Sequence, residues 1–136
     1  DLDGAMALDL FAGTGSISLE MLSRGCSQVV SVEADRDHAI FIRQCMTKLG
    51  TDANVLIRGD VFRFIKSCSQ QFDFIFADPP YALDNIDTIP DLIFEHNLLK
   101  PDGILVVEHG KANNFVCHPR YLEHRVYGSV NFSIFR

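Results

Sequence analysis

The architecture of this protein can be worked out from one short segment, Asp9-Leu10-Phe11-Ala12-Gly13-Thr14-Gly15. An apolar run over residues 5–10 leads into this segment, and a helical pattern that begins at Ile17 follows it. Two glycines at a turn from strand to helix let the backbone approach a ligand closely, and the amides of the first helical turn then point at that ligand. The segment therefore predicts a β-α unit with a ligand-binding loop.

Short apolar runs alternate with helical patterns through the rest of the chain, without an internal repeat or a linker. Such alternation is typical of β-α units that form a parallel sheet. Two final runs flank Gly128-Ser129 and predict an antiparallel hairpin. The predicted strands cover residues 5–10, 29–32, 54–57, 72–77, 104–108, 124–127 and 130–135. We therefore expect an α/β fold in which helices cover both faces of a mostly parallel, twisted sheet of about seven strands.

The sequence also indicates where helices begin and end. Asp35 is placed to cap the second helix through its carboxylate, and Thr88 with Asp91 resembles a capping box for a later helix. We expect that later helix to end at Leu99, before a turn over residues 100–103. The predicted apolar face of the second helix consists of Ile40, Phe41, Cys45, Met46 and Leu49.

Composition narrows the class of protein. The chain has 136 residues, of which 47% are hydrophobic, and a mean hydropathy of +0.09. These values predict one domain, and no apolar run approaches the ~20 residues that cross a bilayer. Four cysteines without a Cys-x-x-Cys pair are typical of buried thiols in a reducing cytosol, so we expect a cytoplasmic protein. The five histidines lack the spacing of metal ligands, so we expect no metal site. We also expect the protein to be a monomer.

Charge is distributed unevenly along the chain. Residues 1–96 carry 7 basic and 15 acidic side chains, whereas residues 97–136 carry 5 and 3. The N-terminal part therefore suits a cationic ligand. Because a nucleic-acid partner needs basic groups to contact its phosphates, we expect those contacts from the C-terminal part or from outside this chain. The candidates are Lys100, Lys111, Arg120 and Arg125, for which solvated surface charge is the competing interpretation.

Polar residues follow the predicted strands at one edge of the sheet. Glu33 ends the second strand, where a carboxylate can accept hydrogen bonds from both hydroxyls of a ribose. Asp60 follows the third strand and is able to accept from an adenine amino group, to cap the next helix, or to do both. Ser18 stands where a dinucleotide fingerprint has its third glycine, which counts against a nicotinamide or flavin cofactor. The predicted ligand-binding residues are Asp9, Phe11, Ala12, Gly13, Thr14, Gly15, Glu33, Ala34, Asp60, Val61 and Phe62.

The segment Asp78-Pro79-Pro80-Tyr81 directly follows the fourth predicted strand. Each proline fixes its own φ and pushes the residue before it out of the helical region, so Asp78 and Pro79 are expected to be extended. The Asp78 carboxylate and the Pro79 carbonyl then form two acceptors that match the two donors of an exocyclic NH₂ group. Tyr81 offers a flat face for a base, worth about 1–3 kcal/mol by stacking. These four residues are the predicted catalytic residues.

On these residues the chain resembles the class I S-adenosylmethionine-dependent methyltransferases, and more narrowly the RsmD family of bacterial ribosomal RNA guanine-N2 methyltransferases. The resemblance rests on the segments from Leu8 to Gly15, Leu19-Glu20, Leu22 to Gly25, Val32-Glu33, Asp60, Asp73 to Tyr81, Leu99, Gly103 and the final hairpin. It implies a Rossmann-like class I methyltransferase fold in a single domain over residues 1–136. It also implies S-adenosylmethionine as the cofactor and S-adenosylhomocysteine as the product.

The same resemblance assigns roles to residues and a partner to the chain. Gly13 and Gly15 would line the methionine end of the cofactor, Glu33 its ribose and Asp60 its adenine. The segment from Asp78 to Tyr81 would hold the target amine, which the resemblance places on 16S ribosomal RNA of the small ribosomal subunit. Members of the family also carry an N-terminal segment with an Arg-Pro-Thr motif and a helix. We expect this chain to lack that segment.

Other functions remain open on the sequence. DNA adenine-N6 methyltransferases and protein glutamine-N5 methyltransferases use similar Asp- or Asn-Pro-Pro-Tyr loops. A non-catalytic nucleotide-binding module of the same fold is a further alternative. A nicotinamide oxidoreductase is disfavoured by Ser18 and by the proline loop.

Overall fold

Seven strands pair side by side in the computed structural model, which describes residues 1–136. The strands are β1 (Met6–Leu10), β2 (Gln28–Glu33), β3 (Asn54–Arg58), β4 (Phe72–Ala77), β5 (Leu99–His109), β6 (Tyr121–Tyr127) and β7 (Val130–Phe135). The helices are α1 (Ser16–Ser23), α2 (Arg36–Leu49), α3 (Val61–Ser67) and α4 (Thr88–Glu95). The strand order is β3-β2-β1-β4-β5-β7-β6.

Five parallel strands and one antiparallel hairpin make up this sheet. Strands β1 to β5 are parallel to one another, β7 runs antiparallel to β5, and β6 runs antiparallel to β7. The predicted fold class is therefore confirmed. The chain order reverses between β1 and β4, and ligands of open α/β sheets bind beside the carboxyl ends of the strands at such a point.

Alternating side chains of β1 point to two different cores. Leu8 and Leu10 lie in the larger cluster of buried residues, which includes side chains of α3 and α4. Ala7 lies in a smaller cluster with Met21 of α1. Because a sheet buried on both faces needs apolar residues at successive positions, β1 and β4 are nearly continuous apolar runs. None of the helices is both long and apolar enough to span a membrane.

The buried face of α2 differs from the prediction. Ala39, Ile42 and Met46 are buried, whereas Ile40, Phe41 and Leu49 are 42%, 48% and 64% exposed. A Cβ atom added to Gly15 would lie 3.0 Å from Cγ1 of Ile42, so the missing side chain lets α2 pack closely against the glycine loop. Apolar residues occur on two overlapping stripes of this helix, and the contact with Gly15 selects which stripe is buried.

The predictions for α4 and for the following turn are also wrong in detail. Asp87 caps α4 without a side-chain hydrogen bond, and the Thr88 hydroxyl donates to the Asn85 carbonyl at 2.7 Å instead of forming a capping box. The helix ends at Glu95, and Leu99 already belongs to β5. Residues 100–103 form a bulge within that strand rather than a turn before it. Backbone pairing with β4 on both sides of the bulge explains why a turn-like sequence continues a strand.

Candidate functional site

A cavity of about 860 Å³ opens beside the carboxyl ends of β1, β2, β3, β4 and β5. It is lined by Phe11, Gly13, Glu33, Ala34, Asp35, His38, Asp60, Val61, Asp78, Pro79, Pro80, Tyr81, Leu83 and Glu108. Five of these side chains are carboxylic acids, and none is a lysine or an arginine. The cavity has the size of a small-molecule site and favours a ligand with positive charge.

The loop after β1 has an unusual backbone. Phe11, Gly13 and Gly15 have φ angles of 61°, 57° and 84°, all in the left-handed region. A bulky residue such as Phe11 adopts this region at a cost of about 1–3 kcal/mol, and such residues concentrate at ligand sites. The Phe11 ring packs edge-on against Phe62 at 6.3 Å between ring centres. This packing holds the strained residue at the edge of the cavity.

Glu33 is fixed by backbone amides on both sides. Its Oε1 accepts from the Gly13 amide at 2.7 Å, and its Oε2 accepts from the Asp35 amide at 2.8 Å. The residue is 9% exposed. Each carboxylate oxygen has a second acceptor position, so this arrangement still leaves room for two hydroxyl donors. The carboxylate therefore connects the glycine loop to the start of α2 and presents two oriented oxygens.

Asp9 does not line the cavity, although we predicted it as a ligand-binding residue. It is buried beneath the loop, where the Ser18 hydroxyl donates to it at 2.6 Å. Burial, together with the charges of Asp78 and Glu33, raises the pKa of Asp9 to about 7 despite the hydrogen bonds from Ser18. Asp9 faces α1 because residues of a strand alternate between the two faces of the sheet. Its contact with Ser18 also explains a polar residue where a dinucleotide site has a glycine.

Asp60 fills one of the two roles that the sequence left open, the cap of the next helix. Its Oδ2 accepts from the Arg63 amide at 2.9 Å, which caps α3. The same residue lines the cavity next to Val61. A capping carboxylate keeps further acceptor positions, so the cap does not prevent contact with a ligand.

The Asp78-Pro79-Pro80-Tyr81 loop is held at its first residue by the neighbouring strand. The Asp78 amide donates to the Leu10 carbonyl at 3.3 Å, which places the loop beside the glycine loop. Burial and the adjacent Glu108 carboxylate raise the pKa of Asp78 to about 6. Glu108 follows Val107, which pairs with Ala77, so the two acids lie at the ends of adjacent strands. The loop therefore presents a pair of carboxyl groups rather than one.

Tyr81 covers one side of this acid pair. Its hydroxyl donates to Oε2 of Glu108 at 3.4 Å, and its side chain is about half exposed. The ring lies against Gly110, where an added Cβ would be 3.6 Å from the ring. His109 contacts the Gly110 carbonyl through Nδ1 and the Ser133 hydroxyl through Nε2, both at 2.8 Å. The support of the Tyr81 ring therefore extends to β7.

Comparison with known proteins identifies the family. The model of the family described as Conserved hypothetical protein 95 matches residues 1–136. The chain belongs to this family. The predicted resemblance to the RsmD family is thereby confirmed, since relatives of the chain include ribosomal RNA small subunit methyltransferase D. That relative, from Haemophilus influenzae, is 28% identical over 135 residues, which cover 95% of this chain and 70% of the relative.

Two further comparisons show how much of each similar protein the chain covers. The YlbH protein of Bacillus subtilis is 32% identical over 113 residues, and the match covers 80% of this chain. The chain spans about three fifths of the length of that relative, 61%. A solved structure of a Haemophilus influenzae protein, whose description proposes a methylase, superposes with a TM-score of 0.88 at 26% identity. That superposition covers 98% of this chain and 87% of the other.

Ten of the predicted site residues line the cavity of this family member: Phe11, Gly13, Glu33, Ala34, Asp60, Val61, Asp78, Pro79, Pro80 and Tyr81. Five others stay outside its lining: Asp9, Ala12, Thr14, Gly15 and Phe62. Gly15 instead contacts α2, and Phe62 supports Phe11 from behind. No group of three or more His, Cys, Asp or Glu residues is arranged to hold a metal ion.

Sequence reasoning missed four lining residues: Asp35, His38, Leu83 and Glu108. Asp35 was predicted as a cap of α2, which it is, because its Oδ2 accepts from the His38 amide at 2.9 Å. His38 lies in the first turn of α2, three residues after this cap, and lines the cavity. Its Nδ1 is 3.9 Å from Oε2 of Glu33. Glu108 could have been found from its position at the end of the strand after β4. That strand-end position is the same signal that revealed Glu33.

Proposed function

We propose that this chain is a single-domain catalytic core that transfers a methyl group from S-adenosylmethionine to an exocyclic amino group. We further propose guanine N2 of 16S ribosomal RNA, presented by the small ribosomal subunit, as the target. The observation that carries the proposal is the shared cavity of the glycine loop and the Asp78-Pro79-Pro80-Tyr81 loop. One loop suits a nucleoside-containing cofactor and the other suits an NH₂ group. We expect a monomer that acts in the cytoplasm.

The residues of the cavity fit the proposed cofactor. Glu33 has acceptor positions left for ribose hydroxyls, and Asp60 has one left for an adenine amino group. When bound, S-adenosylmethionine supplies an electrophilic methyl group on a positively charged sulfur. Five carboxylic acids around the cavity favour that positive charge. The same acids would repel the pyrophosphate of a nicotinamide dinucleotide, which argues against the oxidoreductase alternative.

The proline loop performs two tasks in the proposed reaction. The Asp78 carboxylate and the Pro79 carbonyl accept hydrogen bonds from the two N–H groups of the target amine, which orients its nitrogen lone pair. These acceptors also stabilise the positive charge that develops on the nitrogen as its bond to carbon forms. Most of the rate enhancement then comes from alignment of the amine with the methyl group. The exposed face of Tyr81 supports the flat ring that carries the amine.

Asp78 and Glu108 take up the proton that the amine releases. After methylation the nitrogen carries one proton more than the neutral product, and Asp78 is the carboxylate adjacent to the position of the amine. A pKa of about 6 keeps Asp78 mostly ionised at neutral pH and makes it a better proton acceptor than an ordinary aspartate. Glu108, which lies beside it, is able to share that proton before it is lost to water.

The name of the Haemophilus influenzae relative supports ribosomal RNA as the substrate. The loop chemistry serves other planar amines equally well, so DNA adenine and protein glutamine are the competing substrates. The chain can be tested by incubating it with labelled S-adenosylmethionine and, separately, unmodified small ribosomal subunits, naked DNA and release factor protein. We expect label only in the subunits, and N2-methylguanosine after digestion to nucleosides.

Each other outcome of this assay points to a different function. Label in DNA or in protein would identify that molecule, rather than ribosomal RNA, as the substrate. Absence of transfer to every substrate, with cofactor binding demonstrated by calorimetry, would identify a non-catalytic nucleotide-binding module. A chain that does not bind the cofactor would refute the proposal altogether.

A further inference from the structure

Three arginines meet around one hollow at the edge of the sheet. Arg36 and Arg43 project from α2 and Arg58 ends β3, and together they line a cavity of about 120 Å³ with Ile40. All three are exposed. None of them lies within ion-pair distance of an acid, although the acidic side chains of the protein outnumber the basic ones. We call these three residues the arginine patch.

Three of the five other arginines pair with acids, whereas Arg63 and Arg120 form no ion pair. Arg24 pairs with Glu20 at 2.8 Å, Arg125 with Glu123 at 3.0 Å, and Arg136 with Asp102 at 3.7 Å. The patch differs from an ordinary solvated surface, where basic and acidic groups are interspersed, in that three unpaired arginines line one hollow. Three like charges converge there without an internal counter-ion.

The fold explains why these arginines converge. Positions 36, 40 and 43 lie on one stripe of α2 because the helix repeats every 3.6 residues. That stripe lies next to the buried residues Ala39 and Ile42, so it follows the line along which the helix packs on the sheet. Strand β3 is the edge of the sheet, and its last residue, Arg58, completes the hollow.

The arginine patch adjoins the proposed catalytic cavity. Arg58 pairs in register with Glu33, and Arg36 directly follows Asp35, and both of these acids line that cavity. The rim of the cavity is acidic and repels phosphate groups. A nucleic acid that places one base in the cavity must therefore run its backbone over a neighbouring surface of opposite charge.

We propose that the arginine patch binds the phosphate backbone of the substrate RNA, an inference that rests on the proposed function and extends it. The guanidinium group donates two parallel hydrogen bonds to a phosphate, and three such groups around a hollow hold adjacent phosphates of one strand. The N-terminal part of the chain therefore supplies the contacts that its composition led us to expect from the C-terminal part or from elsewhere.

The test is a charge-matched comparison of two triple variants. In the patch variant, Arg36, Arg43 and Arg58 are changed to glutamine. In the control variant, three basic residues outside the patch and outside the candidate phosphate contacts, Arg24, Lys66 and Arg136, are changed to glutamine. Binding of an unmodified fragment of small-subunit ribosomal RNA is measured by fluorescence anisotropy over a range of salt concentrations. Thermal melting and calorimetry with S-adenosylhomocysteine show whether each variant folds and binds the cofactor product.

We expect the patch variant to bind RNA about 10- to 100-fold more weakly at low salt. The slope of log Kd against log salt concentration should fall by about 2, because three contacts to the phosphates of a single strand are lost. The control variant should retain most of the affinity and the salt dependence, and both variants should retain cofactor binding. Replacement of the three arginines by lysine should restore part of the affinity, because it restores charge without the paired hydrogen bonds.

Three results would overturn the inference. The first is a patch variant with unchanged salt dependence, and the second is a control variant that loses as much affinity as the patch variant. The third is a patch variant that keeps the original affinity for the RNA fragment at low salt. Failure of the proposed function is distinguishable from these results. A wild-type chain that binds RNA through the patch but methylates nothing supports the inference and refutes the activity.

Discussion

Two acids that line one cavity are held in opposite ways. Glu33 accepts hydrogen bonds from the amides of Gly13 and Asp35, one on each oxygen. Asp78 receives no such amide and instead lies beside the carboxyl group of Glu108, with its pKa raised to about 6. Amide donors favour the charged form of an acid, and burial next to another acid disfavours it.

This difference separates the two halves of the proposed reaction. An acid that is tied to the backbone on both sides is an acceptor of fixed position, which suits recognition of a cofactor. An acid that gains a proton readily suits a substrate that must lose one. Both acids are placed by the same structural rule, since each stands at the carboxyl end of a parallel strand. Three variants can break or sharpen this division.

The largest effect is expected for Asp78→Ala. Loss of the carboxylate removes an acceptor that stabilises developing charge and also removes the proton acceptor, so kcat should fall by about 10²–10³-fold or more. Affinity for S-adenosylmethionine, measured by calorimetry, should stay within threefold of the original value. Asp78→Asn is the matched control, because it keeps an acceptor without the charge and should retain part of the activity. Loss of cofactor binding in Asp78→Ala would contradict the division of roles.

A smaller effect, of a different kind, is expected for Glu33→Ala. The amides of Gly13 and Asp35 would lose their charged acceptor, and the ribose hydroxyls would lose theirs. Hydrogen bonds to charged groups contribute about 1.5–3 kcal/mol, so Kd for the cofactor should rise by about 10- to 100-fold. The rate at saturating cofactor should change by less than tenfold. The Kd of Glu33→Gln should lie between those of the original chain and Glu33→Ala. A Glu33→Ala variant that binds the cofactor normally but has a strongly reduced kcat would show that Glu33 acts in the methyl-transfer step rather than in cofactor binding.

The smallest effect is expected for Glu108→Gln and concerns pH. Transfer should require ionised Asp78, so kcat should rise as pH increases through about 6. Burial is the larger cause of the raised pKa of Asp78, and the negative charge of Glu108 is the second. Removal of that charge should lower the pKa of Asp78 and move the acidic limb of the pH profile to lower pH by roughly half a unit. An acidic limb that does not move would exclude this coupling.

Features that depend on neighbouring residues could be predicted from the sequence. Strand β4 has the predicted bounds because its nearly continuous apolar run is followed by Asp78 and two prolines. The cap of α2 by Asp35 was also predicted correctly, since a cap involves residues only three positions apart.

Features that depend on packing between distant segments could not be predicted. Glu108 is recognisable as an acid at a strand end, but its proximity to Asp78, about thirty residues away along the chain, follows only from the pairing of β4 with β5. The orientation of α2 depends on its contact with Gly15, and that orientation in turn creates the arginine patch. Asp9 was assigned to the ligand because it precedes the loop. The alternation of β1 turns its side chain toward Ser18 instead.

The C-terminal hairpin contributes no residue to the cavity, and yet it supports the surface on which a base would rest. Because the Gly110 carbonyl is an acceptor, Nδ1 of His109 carries the proton and Nε2 receives the Ser133 hydroxyl. Burial lowers the pKa of His109, which preserves this neutral form. The His109 imidazole thus connects β7 to Gly110, which lies against the Tyr81 ring. A substitution at Ser133 would therefore reach the support of the Tyr81 ring without altering any residue that lines the cavity.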